Sequence, residues 1–487
     1  MYHGRPVASL RSALSSTWQR YAHCARREVD AAWLAAFRML FGVTLAVSML
    51  RFLFYGWVDR LYLQPRFHFK YWGFEFVQVL PGPWMYGVFW GLFGCACCVA
   101  VGLCYRIAAP LLALGLCYVQ LIDVATYLNH YYLAALLALL LAVAPAARML
   151  AVDACISRWL FRRAGQESVP VLYLWIFRLQ VGVVYFGAAL AKLQGDWLLY
   201  AQPLRIWLSE RTDLAVLGPL LMLPQAPLLL SWAGFLFDAT VVLFLLNAKT
   251  RLPAYCVLLV FHTLTRLLFP IGMFPVIMSV AALVFFSPGY PRSLVRFVGR
   301  VMGRQENKLR TEPAQERSLG VHGRQFAGFQ VWLALLSLYG LLQVLLPLRH
   351  LAYPGNVLWH EQGMRFSWRV MVRAKGGSTE FRVRFADSAD EFEVAPRRYL
   401  TPMQEAEMAG QPDLILQLAH HIAKDLRRPG QGPVQVRALT HVVLNGRRGV
   451  PLIDPSIDLS QISDGFGRAS WVAPAPSVVP PYTRTVR

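Results

Sequence analysis

Four residues have the types and positions that proton chemistry at a membrane edge would need. Lys192 closes the apolar run Val181–Leu193 and is followed by Gln194-Gly195-Asp196-Trp197. Lysine occurs in this chain only at positions 70, 192, 249, 308, 375 and 424, so arginine carries nearly all the positive charge. A lysine at a helix end snorkels toward headgroups, with Gly195 as the helix C-cap. An arginine would snorkel equally well. What lysine adds is that desolvation can bring its ammonium toward neutrality and leave an amine base. Asn129-His130 opens another apolar run, where the amide would serve as an N-cap or face a ligand. His262 lies inside a third run, one turn before Arg266, either as a packed, hydrogen-bonded ring or as part of a site.

The elements that must position these groups are membrane spans. Of 487 residues, 56% are hydrophobic and 15% charged, against about 25% charged in soluble chains. The shortage is concentrated between about 31 and 290, and polarity is ordinary from about 350 onward. At roughly 20 apolar residues per span, nine candidates emerge: about 33–55, 84–104, 106–124, 131–149, 170–193, 226–247, 253–269, 271–287 and 327–347. The seventh and eighth form one apolar stretch, broken at Phe269-Pro270-Ile271-Gly272 into two spans or a re-entrant pair.

The net charge of +21 does not indicate a nucleic-acid partner, because the basic residues lie in short clusters between apolar runs. With the N-terminus in the cytoplasm, Arg106, the cluster Arg148, Arg158, Arg162 and Arg163, the Lys249/Arg251 turn and the Arg-rich loop after 288 all fall inside. Merging spans seven and eight would put that last, most basic loop outside. The organisation expected is therefore a basic arm (1–30), a transmembrane domain (31–290), a basic cytoplasmic loop (291–326), a last span (327–348), a β-rich extracytoplasmic domain (349–465) and a flexible tail (466–487). The fold class is an α-helical polytopic membrane domain followed by a strand-rich domain with one packed helix. Its strands are expected at Ser367–Val372 and Glu380–Phe385, joined by a turn at Lys375-Gly376-Gly377-Ser378, and at Val434–Leu444. The helix is expected from Asp413 to about Leu426, ended by Pro429-Gly430.

Ionisable groups near a span centre cost at least about 2.5–3.5 kcal/mol each. Arg38, Asp123, Arg178 and Asp238 are expected to be structural charges held by buried ion pairs, with Asp123 also a candidate to face substrate. Loop 56–83, crowded with aromatics from Trp57 to Phe76, forms an interfacial belt or caps an apolar pocket. Eight cysteines, all at or before Cys256, show no metal-ligand spacing, so no metal site is expected and the outer domain carries no disulfide.

At these positions the sequence resembles the vitamin K-dependent gamma-glutamyl carboxylase family, including bacterial relatives with the horizontally transferred transmembrane domain. The resemblance rests on Gly102-Leu-Cys-Tyr-Arg-Ile107, Asp123 leading to Asn129-His130, Tyr185-Phe186 and Ala191-Lys192 through Trp197. It continues through Phe261-His262, Phe269-Pro-Ile-Gly-Met-Phe274 and Ser287-Pro288, then His350, Trp359, Phe366-Ser367-Trp368 and Asp454-Pro455, covering about 33–460. It implies an enzyme that oxidises a reduced naphthoquinone with O2 to an epoxide. A strongly basic alkoxide formed on the way removes a γ-proton from peptide glutamate, and CO2 adds to the carbanion. On this resemblance Lys192 deprotonates the hydroquinone, Asn129 and His130 surround the quinone, and His262 matches an intramembrane histidine. His350, Trp359, Phe366 and Trp368 fall in the substrate-binding region. Reduced vitamin K, with menaquinol as a bacterial counterpart, is the implied cofactor, and a glutamate-containing peptide and the lipid bilayer are the implied partners. The arginine bias suggests a GC-rich bacterium and its inner membrane. Three alternatives stay open: quinone epoxidation without carboxylation, a transporter, and a membrane scaffold. A transporter would need matched broken helices in two halves, and only one clear break is present.

Overall fold

A computed structural model describes residues 16–161, 167–302, 323–386, 390–427, 429 and 432–481. The first half of the expected N-terminal arm, most of the basic loop, Gly430 and the end of the tail lie outside the described residues. Ten helices concern the membrane part: α1 (Ala32–Phe54), α2 (Gly82–Val101), α3 (Tyr105–Ile122), α4 (Asn129–Val143), α5 (Val171–Lys192), α6 (Ala226–Leu246), α7 (Arg251–Leu268), α8 (Phe274–Ala282), α9 (Tyr290–Val301) and α10 (Gly323–Leu345). Helices α1, α2, α3, α5, α6, α7 and α10 are long and apolar enough to cross a bilayer. The other two expected spans are shorter: α4 has 15 residues, about 22 Å, and α8 ends in a 3-10 turn at Phe285, then bends 98° into α9. The break between α7 and α8 falls at Phe269–Met273, where the sequence placed it.

Helices this apolar need their ends closed, and buried arginines do it. Arg38 in α1 donates through Nη1 to the carbonyls of Val99 (2.6 Å) and Ala100 (2.9 Å), the last turn of α2, through Nε to Ala146 (3.1 Å) and through Nη2 to Leu150 (2.6 Å). Arg178 in α5 closes the end of α8 by donating to the carbonyls of Val284, Phe285 and Phe286. The ion pairs expected for these two are not what holds them; peptide carbonyls left unpaired at helix ends do. Asp123 likewise serves as a hinge between domains. Its Oδ1 accepts from the Ala125 N–H (2.8 Å) and its Oδ2 from Gln404 Nε2 (2.7 Å) of the outer domain.

The outer domain is a three-stranded antiparallel sheet with two helices. Two strands outside it, β1 (Glu28–Asp30) and β2 (Ser168–Pro170), pair at the opposite end of the bundle. In the domain, β3 (Lys375–Phe385) runs between β4 (Glu391–Val394) and β5 (Val434–Leu444), and helices α11 (Pro402–Ala409) and α12 (Pro412–Leu426) pack against it. The expected turn at Lys375–Ser378 is the start of β3 instead. A Cβ at Gly377 would lie 2.1 Å from the His441 carbonyl oxygen, so this glycine permits a close cross-strand approach and does not reverse the chain. The expected strand Ser367–Val372 does not form either, because Phe366, Trp368 and Met371 have positive φ (58°, 57° and 53°). The tail to Pro481 is packed: the Ala473 carbonyl accepts from Trp359 Nε1 (2.8 Å) and that of Val478 from Arg447 Nε (2.7 Å). Loop 56–83 docks on the outer domain, with the Lys70 N–H on Gln417 Oε1 and Gln417 Nε2 on the Lys70 carbonyl (both 2.9 Å).

Arg38→Met leaves the carbonyls of Ala100, Ala146 and Leu150 without a donor, while Val99 keeps the Gly102 N–H at 3.2 Å, at on the order of 1–3 kcal/mol for each one buried. The expected outcome is a clear drop in melting temperature in detergent, measured by size-exclusion thermostability; an unchanged melting curve contradicts the capping role.

Candidate active site

Two cavities meet where the membrane helices join the outer domain. The first, about 740 Å³, is almost wholly apolar and is bounded by α5, α6, α7, α8 and the segment 204–230. Its polar groups are few and specific. Lys192, at the C-terminal end of α5, donates to Asp238 Oδ2 of α6 at 2.7 Å, with side chains 8% and 7% exposed. The Lys192 ammonium sits 5.2 Å from the centre of the Trp197 ring. Trp197 is fixed by its own Nε1 donating to the Ser231 carbonyl (2.8 Å) and by Ser231 Oγ donating back to the Trp197 carbonyl. Two turns before Lys192 on α5, the Tyr185 hydroxyl meets His262 Nε2 of α7 at 3.0 Å, and His262 Nδ1 is buried without a hydrogen-bond partner among the described residues.

The second cavity, about 620 Å³, is more polar than the first and lies under the outer domain. It is lined by four arginines (211, 365, 369 and 373) against three glutamates (210, 361 and 407). Arg365 is committed to Asp413 and Gln411, and Arg373 to Glu361. Nε of Arg211 and Nε of Arg369 are buried with no hydrogen-bond partner among the described residues. Burial raises the Glu407 carboxyl above its ordinary range, although Arg373 and Arg365 oppose the shift. By formal charge the lining carries four arginines against three glutamates, a net of one positive charge. Leu268, Phe269, Ile271 and Met371 line both cavities and form the wall between them.

The expected site residues are divided between these spaces. Lys192 and His262 face the apolar cavity, and Asn129 faces the cationic cleft. Leu128, not Asn129, is the N-cap of α4; the Asn129 amide oxygen accepts from the Tyr127 hydroxyl (3.0 Å), which itself accepts from the Phe366 N–H (2.9 Å). Nor is Gly195 the C-cap of α5: Leu193 is, and Gly195 opens the next short helix. His130 is buried behind the wall, where a Cβ on Gly272 would touch its Nε2 at 3.6 Å. His350, Trp359, Phe366 and Trp368 line neither cavity. His350 Nδ1 lies 2.9 Å from the Pro347 carbonyl, and Trp359 is core of the outer domain. Phe366 packs edge-on to Tyr127 and Tyr132, while Trp368 stacks on Tyr132 at 5.0 Å.

Two features escaped sequence reading. Asp238 is the direct partner of Lys192, and a signal existed: it is the single charge in α6, 46 residues from a lysine at a span end. The arginine cleft had no such signal, since its residues come from segments far apart in sequence and only the fold gathers them.

The outer domain holds the lysine end of α5 directly. Asp196 accepts from Arg447 Nη1 (2.6 Å) and Nη2 (2.7 Å) and from Asn445 Nδ2 (2.8 Å), at the turn after β5. Trp368, fully buried, lies on Gly187, where a Cβ would come within 2.9 Å of the Trp368 Cβ.

Comparison with known families agrees with this two-part construction. The HTTM domain family matches residues 26–290, and the vitamin K-dependent gamma-carboxylase lumenal domain matches residues 329–477. The chain belongs to the vitamin K-dependent gamma-carboxylase family. No solved structure matches it. Membership makes this a multi-pass membrane protein with a carboxylase-like, vitamin K-dependent function. The lumenal-domain match covers α10 from residue 329 onward, the segment carrying Trp368 and the sheet whose following turn clamps Asp196.

Gly187→Val should push Trp368 off α5 and expose the segment 365–373. Faster tryptic cleavage at Arg365, Arg369 and Arg373, with helix content kept by circular dichroism, is expected. Cleavage at the wild-type rate would show that this contact does not hold the segment.

Proposed function

We propose that this protein oxidises a reduced naphthoquinone with O2 to its epoxide and couples that oxidation to carboxylation of peptide glutamate by CO2. The observation that carries the reading is a lysine–carboxylate pair in an apolar cavity that shares a wall with a cationic cleft. The cavity fits a naphthoquinone in size and character, and its lining residues Leu220, Leu223 and Leu229 are also exposed on the outer surface, which supports entry from the bilayer. Oxygenation of the reduced quinone supplies a base strong enough to take a γ-proton from glutamate, which no side chain here can do.

The residues around it have definable tasks. Lys192, with Asp238, receives the hydroquinone proton. The apolar lining excludes water that would otherwise quench a strong base. Tyr185 and His262 present a hydrogen-bonded polar edge to the same cavity. In the cleft, the free Nε donors of Arg211 and Arg369 suit the γ-carboxylate of the incoming glutamate, as charge-assisted bonds do. Asn129 borders the same cleft, and His130 supports the wall at Gly272. Basic clusters at the end opposite the outer domain favour a cytoplasmic N-terminus and an extracytoplasmic outer domain. Menaquinol in a bacterial inner membrane is then the natural reductant, and the peptide arrives from outside.

Purified protein given reduced quinone, O2, labelled CO2 and a glutamate peptide should form epoxide and labelled peptide together. Epoxide without label would reduce the reading to quinone epoxidation. Lys192→Ala should abolish epoxide, and Lys192→Arg should stay inactive because a guanidinium does not give up its proton; an active Lys192→Arg protein sinks the assignment of the base. Arg369→Ala should raise the KM for the peptide about tenfold or more, the scale of a lost charged hydrogen bond, with the KM for quinone little changed. A peptide KM left at the wild-type value removes Arg369 from the carboxylate site.

A further inference from the structure

We infer that the base at the cavity is the Lys192–Asp238 pair acting as one two-site proton acceptor, so that Asp238 is a catalytic residue and not a structural charge. This deepens the proposed function and rests on it. Three observations carry it. Both members of the pair line the cavity, and Lys192 engages Asp238 Oδ2 at 2.7 Å. The two side chains come from different helices, α5 and α6, and are almost fully buried. Finally, in the bundle the buried Arg38 and the half-buried Arg178 sit on peptide carbonyls instead. The bundle can therefore hold a cation without a carboxylate. Lys375 of the outer domain also pairs with a carboxylate, Glu361, but of the two only the Lys192–Asp238 pair has both members facing the apolar cavity.

Proton counting supplies a reason for that placement. The resting pair holds one shared proton between amine and carboxylate and carries no net charge, which makes it tolerable in an apolar site. When it acts, a hydroquinone O–H bond breaks, the electron pair stays on that oxygen, and the proton joins the pair. Ammonium and carboxylic acid then stand beside one anion, and the net charge of the cavity is unchanged. Proton exchange along the 2.7 Å contact lets either member face the donor. The other ionisable groups lining the cavity, Tyr185 and His262, are bonded to each other and stand outside this exchange.

The test uses the full-length protein and 2-methyl-1-naphthol, which offers one acidic O–H and needs no oxygen. Bound anaerobically to wild type, it should show the absorbance of the naphtholate. Asp238→Asn should bind it within a few-fold of wild-type affinity but as neutral naphthol, and Asp238→Glu should restore the naphtholate spectrum. In turnover, Asp238→Asn should lose about 10²- to 10⁴-fold in kcat, the range of acid–base catalysis, with hydroquinone KM little changed. A naphtholate spectrum in Asp238→Asn overturns the inference. Neutral naphthol in wild type overturns it too, and that outcome does not depend on whether Asp238→Asn folds. Wild type that ionises naphthol but forms no epoxide from hydroquinone would instead leave the pair standing as a base and defeat the proposed reaction.

Discussion

The structure depends on placing one lysine ammonium at the edge of an apolar cavity without stranding it there. An isolated charge in such surroundings is costly, and removing one partner of a buried pair typically costs about 3–5 kcal/mol. Asp238 neutralises Lys192 at 2.7 Å, and the Trp197 ring covers it. Everything nearby fixes these three groups. Ser231 locks Trp197, Arg447 and Asn445 lock Asp196, and Trp368 presses on α5 at Gly187. The outer domain is thus part of the lysine's environment.

That arrangement explains why the chain needs both a membrane bundle and a polar sheet. The bundle supplies an apolar cavity. The segment before the sheet, with Arg211 of the membrane part, supplies the arginines of the cleft. A wall at Phe269, Ile271 and Met371 separates the two; under the proposed function, a reactive group generated on one side would lie next to a carboxylate held on the other. The break after α7, forced by Pro270 and Gly272, is what builds this wall.

Much of this was legible in the sequence, and the limits have physical causes. Apolar runs fixed where the helices lie, because hydrocarbon thickness sets their length, and the scarcity of lysine singled out Lys192. The lengths of α4 and α8 were overestimated because apolar residues continue past the helix ends, where Arg38 binds the Ala146 carbonyl beyond α4 and Arg178 the Val284 carbonyl beyond α8. Alternation misread Ser367–Val372 as a strand. Those side chains alternate, but Phe366 and Trp368 are drawn into the aromatic cluster of Tyr127 and Tyr132, and the backbone follows. Asp238 looked like a structural charge because nothing in a linear sequence says which face of α6 meets the end of α5.

The most direct measurement is an experimental structure of the protein with a naphthoquinone bound in nanodiscs. The ring is predicted to lie in the cavity of about 740 Å³, with one oxygen within hydrogen-bond reach of Lys192 Nζ or Asp238 and the tail leaving past Leu220 and Leu229. A quinone bound on the lipid-facing surface or in the arginine cleft, with the Lys192–Asp238 cavity empty, would contradict the account.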